Sequence, residues 1–461
     1  MEQKPFLSEL QGVVVNKFTD WGLKPVGLAF VSPLFWLLCF TIVLFFQYRP
    51  IYNRTTAPSY YYVNADTNGY TQYPYNIFKG ETADSRTPIY PWFLKCIYKL
   101  TGSESILDKV TFTETGMPIC DEIVQGQKTC FYVLLAQALI YCLALIPFYY
   151  SSKILLHNPI VHFFTVLFIA VYFIPHQSWI LTEPLSISGT MVFFSLMIFY
   201  LNKPRNITAF LIGLVTLILV FLRPIFLYLV ILLAGFWIFR IIVNKEDRKQ
   251  SVIGFLSLCL VCSVIYGYAK LNQKNHDNFS ISSVSLHNRF NFLFQTGLYN
   301  KSTDSEFKEY IANSPLNIPE SRYILFDDLS NHFGRIRIKS FVNDTIKNNA
   351  YELLIFNIKR MWWEGDIYSF TPHYFAGAFD FLFLALSGFY FRKIPWRRLG
   401  MWALVFGWFF LMYFGCIDCY ERLILPILPV MFIVYSRYVD MIAQARVISR
   451  QEFIEELRET L

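Results

Sequence analysis

About ten stretches of roughly 16–23 mostly apolar residues recur along this chain, and a helix needs ~20 such residues to cross the hydrocarbon core of a bilayer. They run over 28–47, 130–150, 159–175, 179–201, 207–222, 224–243, 251–270, 374–391, 399–417 and 422–439. Only 16% of the 461 residues are charged, whereas soluble domains have about 25%. The pattern predicts an all-α polytopic membrane protein with about ten transmembrane helices, and it excludes a soluble enzyme and a disordered chain.

The distribution of Lys and Arg predicts the orientation of these helices, because cytoplasmic loops are enriched in both residue types. With the N-terminus in the cytoplasm, eighteen Lys and Arg residues fall in short inner segments, such as Lys203, Arg240 and Lys249. The short outer turns contain only Arg223 and Arg422. This bias accounts for much of the net charge of +7, so the charge is no indication of nucleic-acid binding.

This topology divides the chain into five parts. They are a cytoplasmic segment 1–27, helices one to seven over 28–270 with a first outer loop at 48–129, an extracytoplasmic segment 271–372, helices eight to ten over 374–440, and a cytoplasmic amphipathic tail 441–461. The two long outer segments are too polar to be simple connectors, and segments of that length are commonly functional.

The first outer loop contains the most informative residues. Ala65–Tyr70 contains Asp66, and Ser85–Leu94 contains Arg86. The aromatic residues around them predict short interfacial helices, one of them over 91–100, which lie at the membrane surface rather than crossing it. Asp66 is read either as a solvated loop acid or as a functional carboxylate at the outer surface.

The order of residues in this loop resembles the first outer loop of the GT-C glycosyltransferases. The pattern is Asp66, Tyr70, a glycine at position 80, and then Arg-Thr-Pro-x-Tyr-Pro-x-Phe-Leu from Arg86. Within that superfamily it is most similar to the bacterial branch related to protein O-mannosyltransferases and lipid A aminoarabinose transferases. These are polytopic enzymes that use a sugar carried on a polyprenyl phosphate, and the resemblance implies a GT-C arrangement of the helices.

Three further patches agree with that resemblance. Leu181–Pro184 opens the fourth span, Leu222–Pro224 forms an outer turn, and Glu421–Pro429 is similar to the last-span motif of the family. The resemblance implies a multi-pass protein of the plasma membrane, the bacterial inner membrane, with its active site on the extracytoplasmic face.

Charged residues near hydrocarbon are costly and tend to be functional. Asp66 is the candidate catalytic base for an acceptor hydroxyl. Arg86, Arg223 and Arg422 are candidates to bind the donor phosphate, because guanidinium groups bind phosphate through paired hydrogen bonds. The candidate supporting residues are Glu183, Tyr70, Tyr90 and His373.

Several of these residues also have a structural interpretation. Glu183 could satisfy a helix N-terminus, Arg223 could extend to lipid headgroups, and His373 could pack at the interface. Cys120 and Cys130, with nine residues between them, both lie outside near the second span, and they form either a disulfide or two free thiols.

The sequence predicts an integral-membrane glycosyltransferase that moves a sugar from a polyprenyl-phosphate donor to an extracytoplasmic acceptor, with inversion. The acceptor is a glycolipid, a surface polysaccharide or a protein. We expect no cofactor and no metal, since the polyprenyl phosphate is already a good leaving group; the partners are the donor, the acceptor and membrane lipids, without nucleic acid. The alternatives are a flippase or transporter of lipid-linked sugars or polysaccharide, and an O-antigen polymerase or ligase.

Overall fold

The computed structural model describes residues 68–102 except 72 and 74, 111–112, 118–119, 127–317, 322–355 except 354, and 425–440 except 438. These residues are mostly helical. The first outer loop contains α1 (Asn68–Thr71), a 3-10 turn (Ile77–Lys79) and α2 (Ile89–Thr101). Two paired two-residue strands, β1 (Thr111–Phe112) and β2 (Pro118–Ile119), follow. The fold is therefore not strictly all-α.

Six long helices form the central part of the described chain. They are α3 (Gln127–Leu155), α4 (Pro159–Tyr172), α5 (Glu183–Asn202), α6 (Asn206–Leu222), α7 (Leu227–Val243) and α8 (Arg248–His276). A last apolar helix, Leu428–Arg437, packs with them through the shared hydrophobic core. α3 packs on α5, α5 packs on α6, and α8 packs on both α6 and α7.

Four helices are long and apolar enough to cross a membrane, namely Thr129–Leu155, Glu183–Asn202, Pro224–Val243 and Arg248–His276. They coincide with four of the predicted spans. Predicted spans 159–175 and 207–222 correspond to shorter apolar helices, Val161–Tyr172 and Asn206–Leu222. Predicted spans 28–47, 374–391 and 399–417 lie outside the described residues, so the total of ten stays a prediction.

The surfaces of these helices agree with a lipid environment. On α6, the exposed residues Ile207, Phe210, Leu214 and Ile218 recur at helical spacing along one face. A water-soluble protein rarely leaves so long an apolar face uncovered. The opposite face of α6 lies so close to α8 that a Cβ on Gly213 would come within 2.0 Å of the Ser257 hydroxyl, a close approach typical of small residues between membrane helices.

Several polar side chains between the helices form hydrogen bonds from one helix to another. Ser151 donates a hydrogen bond to Ser195 at 3.1 Å, and the Tyr141 hydroxyl donates to the carbonyl of Ile169 at 3.1 Å. Tyr200 bonds Ser251 at 2.9 Å. Because lipid offers no hydrogen-bond partners, such pairs fix how the helices pack.

Polar contacts join helix ends in two separate groups. At one end, Asp440 is fully buried, accepts hydrogen bonds from the backbone of His157 (3.1 Å) and Asn158 (2.8 Å), and pairs with Arg437. At the other end, the Thr87 hydroxyl donates to the carbonyl of Leu222 at 3.3 Å. The first group contains only ends that the Lys and Arg distribution places inside, and the second contains only ends that it places outside.

This arrangement predicts the outcome of cysteine labelling in intact cells. An Asn300→Cys variant should react with a membrane-impermeant maleimide, whereas Lys245→Cys should react only after the membrane is permeabilised. Both positions are exposed. The parent protein is the control, because it already has exposed thiols such as Cys96. Labelling of position 245 from outside would contradict the topology.

The second outer segment, which the sequence analysis judged too polar to be a simple connector, has a hydrophobic core of its own. Its helices are α9 (Val284–Gln295), α10 (Ser305–Asn313), α11 (Arg322–Phe333) and α12 (Arg335–Asn348). Buried residues from all four helices, including Phe290, Phe307, Leu325 and Phe341, form this core. The segment is therefore a small helical unit on the outer side of the predicted membrane region.

Candidate functional site

Arg86 lies against Tyr70 in the first outer loop. Its guanidinium carbon is 4.6 Å from the centre of the Tyr70 ring, and Nη1 donates a hydrogen bond to the Tyr70 hydroxyl at 3.4 Å. Arg86 is half-buried, so part of it faces solvent. A Cβ on Gly69 would come 2.7 Å from Nε of Arg86, which explains why the backbone of α1 needs glycine there. The contact fixes the position of the guanidinium group.

Tyr90 lies beneath this pair and is fully buried. Its ring packs edge-on against Tyr70, with ring centres 5.2 Å apart. Its hydroxyl donates to Oε1 of Gln137 at 2.8 Å. Burial holds the pKa of the Tyr90 phenol well above its usual value, and the nearby charge of Glu183 is among the further causes. Tyr90 is therefore a neutral hydrogen-bond donor that fixes α2 against α3.

Gln137 was not identified from the sequence, yet it joins three elements of the site. It is fully buried on α3. While its oxygen accepts from Tyr90, its nitrogen donates to the carbonyls of Gln177 (3.0 Å) and Trp179 (2.9 Å). It thus fixes the segment that leads into Glu183. A polar residue within an apolar stretch was the available signal, since such residues are costly unless they are satisfied.

Glu183 and Arg223 form a buried ion pair, with Oε1 and Nη2 3.6 Å apart. Glu183 is the first residue of α5 and is fully buried, and Arg223 is 8% exposed directly after α6. The Thr182 hydroxyl donates to Glu183 at 3.4 Å. Glu183 thus lies at a helix N-terminus, as the structural interpretation predicts, and in addition it contacts a predicted phosphate-binding residue.

Thr87 joins the two segments that contain Arg86 and Arg223. Its buried hydroxyl donates to the carbonyl of Leu222 at 3.3 Å. Thr87 directly follows Arg86, and Leu222 directly precedes Arg223. Each arginine is therefore the sequence neighbour of one member of this hydrogen-bonded pair. The segments that contain Tyr70, Arg86, Tyr90, Glu183 and Arg223, which the sequence analysis selected separately, therefore lie together at one end of the helices, the end that the Lys and Arg distribution predicts to be outside.

A second set of contacts fixes the loop that leads to Arg86. Asp84 pairs with Arg335, the first residue of α12, and its carbonyl accepts from the backbone of Ser283 at 2.8 Å. The Ser282 hydroxyl donates to the carbonyl of Ser85 at 2.8 Å. His276, at the end of α8, contacts the carbonyl of Thr82 at 2.6 Å. The position of Arg86 thus depends on the second outer segment.

Four predicted site residues, Asp66, Arg422, His373 and Cys120, lie outside the described residues. Their roles stay predictions. Cys130 is a fully buried free thiol within α3, where burial would hinder its access to an oxidising solvent. Within the part of the chain that the structure describes, no three His, Cys, Asp or Glu side chains form a group that could hold a metal ion.

The solved structures to which this chain shows some similarity include oligosaccharyltransferases of Archaeoglobus fulgidus. One, a complex with zinc and sulfate, is 13% identical, and the match covers 87% of this chain and 46% of that one at a TM-score of 0.45. Another, archaeal AglB with an inhibitory peptide and dolichol-phosphate, is 13% identical, covering 93% and 52% at a TM-score of 0.44. This chain thus spans about half the length of those proteins, and a likeness this distant carries no conclusion about activity.

Neither a family model nor a curated protein sequence matches the chain.

Proposed function

We propose that this protein is an integral-membrane glycosyltransferase that uses a polyprenyl-phosphate sugar as donor and acts at the outer membrane surface. The observation that carries the proposal is the Thr87–Leu222 hydrogen bond, which joins the two segments that contain Arg86 and Arg223. Two guanidinium groups at the ends of apolar helices suit an anionic group on a membrane-embedded lipid chain, because Arg provides bidentate donors to phosphate.

The proposed reaction uses Asp66 as the base. The acceptor hydroxyl attacks the anomeric carbon of the donor while Asp66 takes its proton. The bond between that carbon and the phosphate oxygen breaks, and the phosphate leaves with the electron pair as polyprenyl phosphate. A single displacement of this kind inverts the anomeric configuration. Arg86 and Arg223, with Arg422, stabilise the charge that develops on the leaving phosphate.

Glu183 has a distinct role in this proposal. Its carboxylate lies 3.6 Å from the guanidinium group of Arg223. It would therefore repel the donor phosphate unless the guanidinium group lies between the two anions and binds both. Because the pair is buried, Glu183 holds Arg223 at the outer helix end rather than letting it extend to lipid headgroups. Tyr70 has the equivalent role for Arg86. Glu183 and Tyr70 are therefore positioning residues for the two arginines.

The alternative is a flippase or transporter of lipid-linked sugars or polysaccharide. Such proteins place polar binding groups near the bilayer midplane. In the described helices, the buried charges Glu183, Arg223, Arg240 and Asp247 instead lie at helix ends. This distribution favours a site at the membrane surface.

The direct test is an assay of the purified full-length chain in nanodiscs with a panel of polyprenyl-phosphate sugars and cell-envelope acceptors. Release of free polyprenyl phosphate together with a glycosylated acceptor of inverted configuration supports the proposal. Movement of an intact lipid-linked sugar across the bilayer, without cleavage of its phosphate bond, would establish the alternative instead.

Replacing the arginines by lysine tests phosphate binding. For at least two of Arg86→Lys, Arg223→Lys and Arg422→Lys, we expect kcat/KM to fall about 10–100-fold, since an ammonium group keeps the charge and loses the paired hydrogen bonds. The matched control is Arg205→Lys, an exposed position at the opposite end of α6. Wild-type turnover in all three variants would rule out this role for the arginines.

A further inference from the structure

The second outer segment contains a cleft that the proposed reaction leaves unassigned. It lies between α10 and α11 and has a volume of about 570 Å³, within the usual range of small-molecule sites of about 300–1,000 Å³. Its lining includes three acidic and three aromatic-ring residues: Glu306, Glu309, Asp328, Tyr310, His332 and Phe333. The cleft is open to solvent and belongs to the segment with its own hydrophobic core.

The charged side chains that line the cleft determine whether a cationic or an anionic ligand is favoured. Among the residues that the structure describes, three carboxylates line the cleft, and neither Lys nor Arg does. Arg337, beside the cleft, pairs with Glu306, which leaves the carboxylates of Glu309 and Asp328 to set the local potential. An anionic ligand would be repelled there, whereas a cationic group would be attracted.

The aromatic residues give the cleft a fixed wall. Tyr310 stacks on His332 with ring centres 4.5 Å apart, and its hydroxyl donates to Asp328 at 3.0 Å. Phe333 packs edge-on against Tyr310 at 5.2 Å. The hydrogen bond to Asp328 raises the pKa of the Tyr310 phenol, so the ring keeps its proton and its orientation. A ring beside carboxylates is a favourable surface for a protonated amine.

The cleft is also linked to the candidate active site. Phe333 is two residues before Arg335, which pairs with Asp84, and Asp84 is two residues before Arg86. Two residues of chain span at most about 7 Å. With the two paired side chains between them, the cleft wall and Arg86 are separated by at most on the order of 20 Å, a distance that a chain of several sugars can bridge.

We propose that this cleft binds an amine-bearing saccharide unit of the acceptor, several sugars away from the hydroxyl that is glycosylated. The identification as acceptor rests on the proposed transferase function, whereas binding of an amino sugar by the cleft does not. Asn313 and Ser314, which also line the cleft, provide an amide and a hydroxyl for sugar hydroxyl groups.

The test is calorimetric titration of the full-length protein in nanodiscs at mildly acidic pH, without any donor. The probes are the β-1,4-linked glucosamine tetramer and its fully N-acetylated counterpart, which differ in their amines alone. We expect the glucosamine tetramer to bind at least about tenfold more tightly. Glu309→Gln and Asp328→Asn should each weaken its binding by about tenfold, as loss of one charged hydrogen bond predicts.

The matched control is Asp344→Asn, which removes an exposed carboxylate of α12 outside the cleft and should leave binding unchanged. Thermal unfolding of each variant checks that the fold is retained. Equal binding of both tetramers, or binding that survives Glu309→Gln and Asp328→Asn, would overturn the proposal. So would binding of penta-lysine without the tetramer, since the cleft would then take a basic peptide.

The two proposals fail separately. Tetramer binding that depends on Glu309 and Asp328, in a protein that turns over no polyprenyl-phosphate sugar, would refute the transferase function and leave the amino-sugar site. Turnover without tetramer binding would do the reverse.

Discussion

Replacing Asp66 by Asn should lower turnover by about 10²–10⁴-fold, the usual contribution of general base catalysis. The amide keeps the shape of the side chain and its hydrogen bonding but cannot accept a proton. Asp66 precedes α1 by two residues in the sequence, and α1 contains Tyr70, which contacts Arg86. The measurement is single-turnover transfer from the cognate donor, with equal amounts of wild-type and variant protein in the membrane.

Two variants sharpen this prediction. Asp66→Glu should also be slow, because the longer side chain displaces the carboxylate by about a bond length and catalysis is sensitive to such displacements. Glu81→Gln is the control, since Glu81 is an exposed acid of the same loop and should retain turnover. Near-normal transfer by Asp66→Asn would remove Asp66 from the mechanism.

Breaking the Glu183–Arg223 pair should have the largest effect on stability. We expect Arg223→Gln to lower the free energy of unfolding by about 3–5 kcal/mol, because it leaves the fully buried Glu183 carboxylate without this partner. The measurement is unfolding of the purified protein in mixed micelles. Arg205→Gln, at the exposed start of the same helix, should change the free energy of unfolding by less than about 1 kcal/mol.

A double variant separates the pair from its surroundings. Glu183→Gln combined with Arg223→Gln removes both charges, so we expect it to be more stable than Arg223→Gln alone. The coupling between the two side chains is the effect of the double variant minus the effects of Glu183→Gln and Arg223→Gln measured separately. Additive effects of the two single changes would show that the ion pair contributes nothing beyond its separate members.

Much of the helical part of the fold is predictable from the sequence. Length and hydropathy identify the long helices, because a span of about 20 apolar residues is a local property of the chain. The sequence also predicts the interfacial helix over 91–100, and the structure has a helix at Ile89–Thr101. It does not predict the core of the second outer segment, since α9 to α12 are short and combine charged with aromatic residues, and that core exists only where the four helices pack together.

Some residues of the candidate site can likewise be identified from the sequence, and others only from the structure. Arg223 stands out because a charge at the end of an apolar stretch is rare and costly, and Arg86 stands out through the motif of the first outer loop. Gln137 stands out only as a polar residue in an apolar stretch and Asp84 does not stand out, because their roles depend on partners about 40 and 250 residues away in the sequence. A single sequence gives no indication of such pairs.

The sequence by itself predicts a helical membrane protein, its orientation, and the loops that contain its charged residues, because hydropathy and helical length act over neighbouring residues. Only the tertiary structure places Arg223 against Glu183, Arg86 against Tyr70, and the loop of Asp84 against Arg335. These contacts join segments far apart in the chain. They form only where helix packing brings the outer ends together and buries polar groups that must then find partners.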